Sequence, residues 1–455
     1  MSLGKVAAIF DVGKTNKKLL LFDEHYHLVY ETGMQLPETV DEDGFACEDI
    51  HALTDWVISG FEQLSSLSGY QVAALNFSAY GASFVHINRS GEPCTPLYNY
   101  LKPYPSHLQQ QFYSRYGGEE AFSRSTASPI LGSLNSGLQL YRLKYEQPEI
   151  FSTIRYSLHL PQYLSYILSG KPSTDITSLG CHTGLWDFTT NSYHHWVAEE
   201  EVETKLAPLM KGNALINDPA SGRQLPTGVG LHDSSAALIP YLRQFQSPFI
   251  LISTGTWCIS MNPFNDKTLT KEELSNDCLC YLSYTGDQVK SSRLFAGFEH
   301  ETQLKRLNDF FQKQEKSESA VHYSETIARS ITTDNYNDNG LNTISIQDSI
   351  FETRALNDFP DFEIAYHQLI ADIITKQKFS TGLVMTNDVK YIFVDGGFSK
   401  NDVYMNLLAK AFPGHIVGAA TVAQSTGLGA ALAIHKHWNA KQVPEDLIKV
   451  KIYKP

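Results

Sequence analysis

Near the start of the chain an aspartate, a glycine, two short polar side chains and three lysines fall within eight residues: Asp11-Val12-Gly13-Lys14-Thr15-Asn16-Lys17-Lys18. That set suits an anion. Gly13 lets backbone N–H groups approach closely, Thr15 and Asn16 can donate hydrogen bonds to phosphate oxygens, and lysines such as Lys14 and Lys18 supply charge. Asp11 is placed to hold a hydrated Mg²⁺ against those phosphates. The string does not read G-x-x-x-x-G-K-[ST] at the opening of a helix, which excludes a Walker-type loop. The same residues also make an ordinary hairpin with a polar turn, and the stretch alone leaves both readings open.

Three later groups carry comparable chemistry, and a fourth marks a close approach of backbone. Ser253-Thr254-Gly255-Thr256 repeats the design of small hydroxyl residues around a glycine between two apolar runs. Asp395-Gly396-Gly397-Phe398-Ser399-Lys400-Asn401 puts glycines where a strand crosses into a helix, so that a nucleotide can lie against backbone. In Gly228-Val229-Gly230-Leu231-His232-Asp233 a glycine-rich approach delivers an acid to the start of a small-residue helix. Asp233 then caps that helix, acts as a general base, or does both. Ser78-Ala79-Tyr80-Gly81-Ala82 is either a plain glycine turn or a place where a ligand meets small groups.

The elements that must hold these residues are readable from spacing. Apolar runs at 6–10 and 19–22 make the strands of an opening hairpin, residues 28–30 add a third strand, and residues 72–77 and 83–87 add two more. Helical spacing covers 49–64 (Leu53, Trp56, Val57, Phe61, Leu64), 134–145, 161–168, 362–379 and 427–437. Residues 249–261 form a second hairpin and 391–394 a buried strand. The echo between the two hairpins predicts two halves, 1–244 and 245–455. Residues 312–349 are polar and read as surface helix and loops, or as an insertion.

At 455 residues the chain exceeds one core. A net charge of −13 argues against a nucleic-acid partner, while a phosphorylated small molecule needs only a local basic patch. Cysteines 47, 94, 181, 258, 278 and 280 include no CxxC pair and read as free thiols, and His194-His195 reads as surface. No secretory signal and no apolar run near ~18 residues is present, so the expectation is a soluble cytoplasmic protein without a membrane partner. Oligomeric state is not fixed by these features; a homodimer is among the states they allow.

Taken in order, these stretches resemble the FGGY family of carbohydrate kinases, within the superfamily of sugar kinases, actin and heat-shock chaperone ATPases. The opening hairpin is similar to the family's first phosphate motif, residues 253–260 to the second, and residues 394–401 to the adenosine motif. Asp233 falls where the family has its catalytic aspartate. Residues 75–87 resemble the sugar-contacting strand pair, and residues 158–186 the segment that runs from L-x-x-x-L-S/T-G to T-D. The resemblance implies an α/β fold of two ribonuclease-H-like domains around a central cleft, ATP and Mg²⁺ as cofactors, and a small sugar as substrate. By that carry-over Asp233 is the catalytic base and Asp11 orients the metal. Gly13, Lys14, Thr15, Asn16 and Lys18, with Thr254, Gly255 and Thr256, hold phosphates. Gly396, Gly397, Phe398 and Asn401 form the adenosine pocket, and Tyr80, Gly81, Ala82 and His232 face the sugar.

The look is nearest to kinases of deoxy-ketoses such as L-fuculose and L-rhamnulose; kinases of xylulose, ribulose or glycerol are alternatives. Four positions depart from the family pattern: Lys14 in place of a small residue, Tyr80-Gly81, Asn99-Tyr100, and Gln424 in place of glutamate. The departures at Tyr80 and Asn99 also suit a non-catalytic sugar or nucleotide sensor on the same fold.

Overall fold

The computed structural model describes residues 4–216, 225–314, 317–331 and 345–455. The first apolar run is the strand Gly4–Val12, which returns antiparallel as Lys17–Asp23 with Asp11 opposite Lys18. On its other side Gly4–Val12 pairs in parallel with Tyr70–Ala79, which sets Asp11 beside Ser78. Leu28–Met34 continues the meander. The first sheet therefore runs Leu28–Met34, Lys17–Asp23, Gly4–Val12, Tyr70–Ala79, Thr227–Gly228 and Leu215–Ile216, with Leu231–His232 also on Tyr70–Ala79.

The second sheet repeats this order. Phe249–Thr254 is central, antiparallel to Cys258–Asn262 and parallel to Tyr391–Gly396. Gln288–Leu294 follows on the hairpin side and Ile416–Thr421 on the parallel side. Cys278–Leu282 and Lys449–Tyr453 are its edges. Each half thus has the ribonuclease-H-like arrangement that the resemblance implies, and the echo between the two hairpins is a true structural repeat.

Helices cover the sheets where the sequence spacing places them. Ile50–Leu64 is capped by Asp49, whose carboxylate accepts from the amides of His51 and Ala52, and its Trp56 packs edge-on to Phe10 at 5.5 Å. The small-residue helix Ser425–Ala433 lies on both the first sheet and the helix Asp233–Gln244. A Cβ on Gly429 would stand 1.8 Å from the carbonyl oxygen of Ala236, so this crossing is backbone against backbone. Asn76, buried in the first sheet, donates to the carbonyl of Ala430 at 2.8 Å and accepts from the amide of Gly230 at 3.2 Å.

Two expectations change. The last helix is two pieces, Ser425–Ala433 and His435–Trp438, and the break at Ile434 turns Trp438 edge-on to Tyr26 at 5.8 Å. His194 is not at the surface: it is buried, its ring lies 4.9 Å from that of Phe122, and its Nδ1 accepts from the amide of Trp196. His195 takes the exposed position. Within 312–349 the described parts include the short helices Ser317–Ala320 and Glu325–Ser330, while residues 315–316 and 332–344 lie outside the described residues. The six cysteines are free thiols, and among the described residues no helix is long and apolar enough to cross a membrane.

Candidate active site

Asp233 opens the helix Asp233–Gln244, with His232 at the cap position, so Asp233 does not cap that helix as the sequence pattern suggests. Its Oδ1 accepts from the next amide, Ser234, at 2.6 Å, and no side chain caps this helix. The side chain keeps 32 % of its surface open. Burial nevertheless pushes its carboxyl up to about 6, against the hydrogen bonds from Ser234. A carboxylate in that range is ionised at neutral pH and still basic enough to take a proton.

Asp11 reaches the same region from the end of its strand. Its Oδ2 accepts from the Thr426 hydroxyl at 2.6 Å. Burial raises its carboxyl to about 6, Thr426 opposes the rise, and the nearby charge of Asp233 adds to it. Thr426 comes from the start of Ser425–Ala433, the helix that also crosses Asp233–Gln244, while the strand Tyr70–Ala79 sets Asp11 and Leu231 on either side of Ser78. Thr426 was not foreseen, and the one sequence cue is its place between Gln424 and Gly427.

The proposed sugar-side residues are brought together. The His232 ring has its Nε2 3.2 Å from Asp233 Oδ1 and 3.4 Å from Cys181 Sγ, and burial holds its pKa down to about 4, so the ring is neutral. Gly81 makes room for it, since a Cβ there would lie 2.9 Å from His232 Cδ2. Ala82 has a φ of +60°. Its carbonyl accepts from Gln139 at 2.8 Å. The hydroxyl of Tyr80 is already committed: it donates to Glu48 Oε2 at 2.5 Å, and Glu48 pairs with the buried Lys17.

The lysines of the opening hairpin divide. Lys17 turns inward, its Nζ donating to the carbonyls of Gly13 at 3.2 Å and Lys14 at 3.0 Å. It is a staple for the turn. Lys18 bonds Gln424 at 3.0 Å and pairs with Glu31 at 3.2 Å. Lys14 lies 3.4 Å from Glu38 and 5.7 Å from the centre of the Tyr80 ring. Thr15 and Asn16 are exposed at the tip, and Gly13 closes the turn by donating to the carbonyl of Asn16 at 2.9 Å.

Thr254, Gly255 and Thr256 share one cavity with Gly397, Phe398 and Asn401. Its volume is about 530 Å³. The Thr254 hydroxyl is spent inside the fold, donating to the carbonyl of Asp395 at 2.5 Å and accepting from the amide of Phe398 at 3.0 Å. Gly396 is forced: its φ is +87°, and a Cβ would lie 2.0 Å from the carbonyl of Thr254. Phe398 stacks on Tyr404 at 4.4 Å. Asn401 donates to the Tyr366 hydroxyl at 2.7 Å and accepts from the amide of Tyr404 at 3.0 Å. Gly297 and His300 also line the cavity and were not foreseen. A Cβ on Gly297 would meet the carbonyl oxygen of Gly255 at 1.9 Å; an alanine-glycine pair after a strand is the cue that marks it.

Two family models match the chain: the FGGY family of carbohydrate kinases, N-terminal domain, over residues 6–229, and carbohydrate kinase FGGY, C-terminal domain, over residues 246–335. A rhamnulokinase of Yersinia pestis is 25 % identical over 229 residues, which is 48 % of this chain and 45 % of that protein. The chain spans about half the length of the curated relatives it matches. Among solved structures, the xylulose kinase of Lactobacillus acidophilus superposes with a TM-score of 0.79 at 18 % identity, covering 99 % of this chain and 94 % of that one. The gluconate kinase of the same organism gives 0.78 at 18 % identity, covering 100 % and 94 %. These likenesses show the fold.

Proposed function

Because the chain belongs to the FGGY family of carbohydrate kinases, we propose that it transfers the γ-phosphoryl group of ATP to a sugar hydroxyl, with Asp233 as general base. The observation that carries this reading is Asp233 and Asp11 facing one region, each carboxyl raised to about 6 by burial. In this reading the two halves meet near residue 245, ATP lies in the cavity of the second half, and the sugar lies beside His232 and Gly81.

The residues fit the groups that the reaction needs. A cavity of about 530 Å³ walled by Gly297 and Gly397 admits a nucleotide against backbone. Among the described residues no cluster of three or more His, Cys, Asp or Glu forms a metal cage. One carboxylate near phosphate-facing turns is what Mg²⁺ uses when phosphates and waters complete its shell. Asp11 would hold it, and bound Mg²⁺ neutralises charge on the phosphates.

The chemistry then follows from this chain's own groups. Asp233 takes the proton of the attacking hydroxyl as its oxygen bonds the γ-phosphorus, and the bond to the bridging oxygen breaks with its electrons leaving on ADP. His232, neutral and 3.2 Å from Asp233, fixes the carboxylate without adding charge. The exposed Gly255-Thr256 and Thr15-Asn16 tips supply phosphate donors, and Lys18 supplies charge. Asn401, with both polar atoms used inside the fold, contributes shape to the adenosine wall.

A deoxy-ketose such as L-rhamnulose or L-fuculose is the substrate we favour, supported by the rhamnulokinase relatives. The xylulose and gluconate kinases among the structural neighbours make those sugars the next to try. A coupled ADP-release assay over ketoses, aldonates and polyols tests the reading; no sugar raising ATP turnover, or full activity in Asp233→Ala, ends it. A non-catalytic sensor is the second reading, favoured by Tyr80 and Asn99 being committed to Glu48 and to the carbonyl of Ala46. It predicts thermal stabilisation by sugar without turnover.

A further inference from the structure

The helix that begins with Asp233 has no capping side chain, yet its start must be held in place for the carboxylate to meet a hydroxyl. What holds it comes from the T-D segment. Asp175, fully buried, accepts from the amide of Ser178 at 2.9 Å and from the Thr177 hydroxyl. The oxygen of that hydroxyl accepts from the amide of His232 at 2.9 Å. Thr177 is itself fully buried. The peptide it grips, Leu231–His232, is one peptide removed from the one that joins His232 to Asp233.

We propose that Thr177 is a positioning residue for Asp233, acting through the His232 amide and oriented by Asp175. The chain of contacts has one sense. The Asp175 carboxylate can only accept, so the Thr177 proton is directed to it and the Thr177 lone pair is left for His232. A charge-assisted bond of this kind is shorter and stronger than a neutral one, which fixes the hydroxyl rotor. Asp175 is in turn confined, because a Cβ on Gly212 would stand 3.1 Å from its Oδ2. Five groups face Asp233 here: His232 at 3.2 Å, with Asp11, Cys181, Tyr100 and Tyr281 in electrostatic reach. None of them anchors its backbone. Leu231–His232 pairs with residues 78–79 of the first sheet; from residues 158–186, Cys181 meets the His232 ring and Gln162 the carbonyl of Gly230, while Thr177 holds the His232 amide.

This inference rests on the kinase reading, and two measurements keep the two apart. In the full-length chain, Thr177→Val removes the hydroxyl at nearly constant shape, while Thr177→Ser keeps it. With the sugar that the wild type turns over, Thr177→Val is expected to lower kcat by about 10- to 100-fold with both KM values within about threefold, a displaced reacting group being the cause. Thr177→Ser is expected to stay within about threefold of wild type. Amide exchange in residues 228–236 is expected to quicken in Thr177→Val and not in Thr177→Ser, a readout that needs no turnover. A wild type inactive on every sugar sinks the kinase reading, and the exchange result then still decides whether Thr177 clamps this segment. A Thr177→Val kcat within threefold of wild type, an equal loss in Thr177→Ser, or unchanged exchange overturns the proposal. Should Thr177→Val not fold, Asp175→Asn carries the test: kcat falling about threefold or more at constant KM supports the clamp, and an unchanged kcat overturns it.

Discussion

The hairpins at residues 4–23 and 249–262 share a backbone plan and almost none of its side-chain chemistry. The opening turn is closed by Gly13 donating to Asn16, the second by Gly255 donating to Trp257, both at 2.9 Å. Around the first turn stand an acid and three lysines, one of them buried on Glu48. Around the second stand glycines and hydroxyls that wall a cavity of about 530 Å³. One hairpin supplies charge and the other supplies space, which suits a reaction where catalysis is mostly positioning and electrostatics.

If that division holds, the largest loss comes from the charged hairpin. Asp11→Asn is expected to lower kcat/KM by about 100-fold or more, the scale set by removing one electrostatic group from an active site. It should also raise the melting temperature at neutral pH. The sign follows from the carboxyl, held at about 6 against an ordinary 3.8: between those values the folded state binds more protons than the unfolded one, so the ionised group weakens folding above pH 6. Calorimetry at pH 7.5 checks it, and an unchanged or lower melting temperature would break this part of the contrast.

Lys17→Met probes the staple. It leaves Glu48 buried without its cation, and about 3–5 kcal/mol of stability should be lost, measured by urea unfolding. Against the turn of the second hairpin, Gly297→Ala on the helix Ala296–Phe311 puts a methyl where only 1.9 Å is free, so the tip must shift by an overpacking cost of about 1–3 kcal/mol. The KM for ATP should rise about tenfold or more. The KM for sugar should stay level, and an equal rise in both would blur the distinction between the hairpins.

A fall in pH through about 6 reaches Asp11 and Asp233, while His300 in the cavity stays neutral down to about 4. Activity should fall as pH drops through about 6, because as the proposed base Asp233 must be ionised to take a proton. Nucleotide binding measured without sugar should change less over the same range. Smallest of all is Lys14→Met: its partner Glu38 is exposed and 3.4 Å away, so stability should move by no more than about 1 kcal/mol. A sugar KM that climbs far more than that would give Lys14 a direct role on the sugar side.

Much of this was legible in the sequence because its signals are local. Two apolar runs around a glycine turn, repeated at 249–261, announced both hairpins, and Gly228 to Asp233 announced the acid at a helix start. What stayed hidden depends on partners far apart in the chain. Thr426 finds Asp11 across 415 positions, and Tyr80 finds Glu48 across 32. Nothing in Tyr80-Gly81 says that the hydroxyl is spent, and nothing in three lysines says which one turns inward. His194 shows the same limit, for a histidine pair without acids reads as surface until Phe122 and Trp196 arrive to cover one of them.

The crossing at Gly429 has a mechanical consequence. With the Ala236 carbonyl where a Cβ would sit at 1.8 Å, no side chain cushions the two helices, and interlocked backbones resist sliding more than they resist tilting. The contact acts as a fulcrum. Were the gap between the sheets to narrow by rocking about this point, the acids nearest to it would travel least and the tips of the two hairpins would sweep the longest arcs.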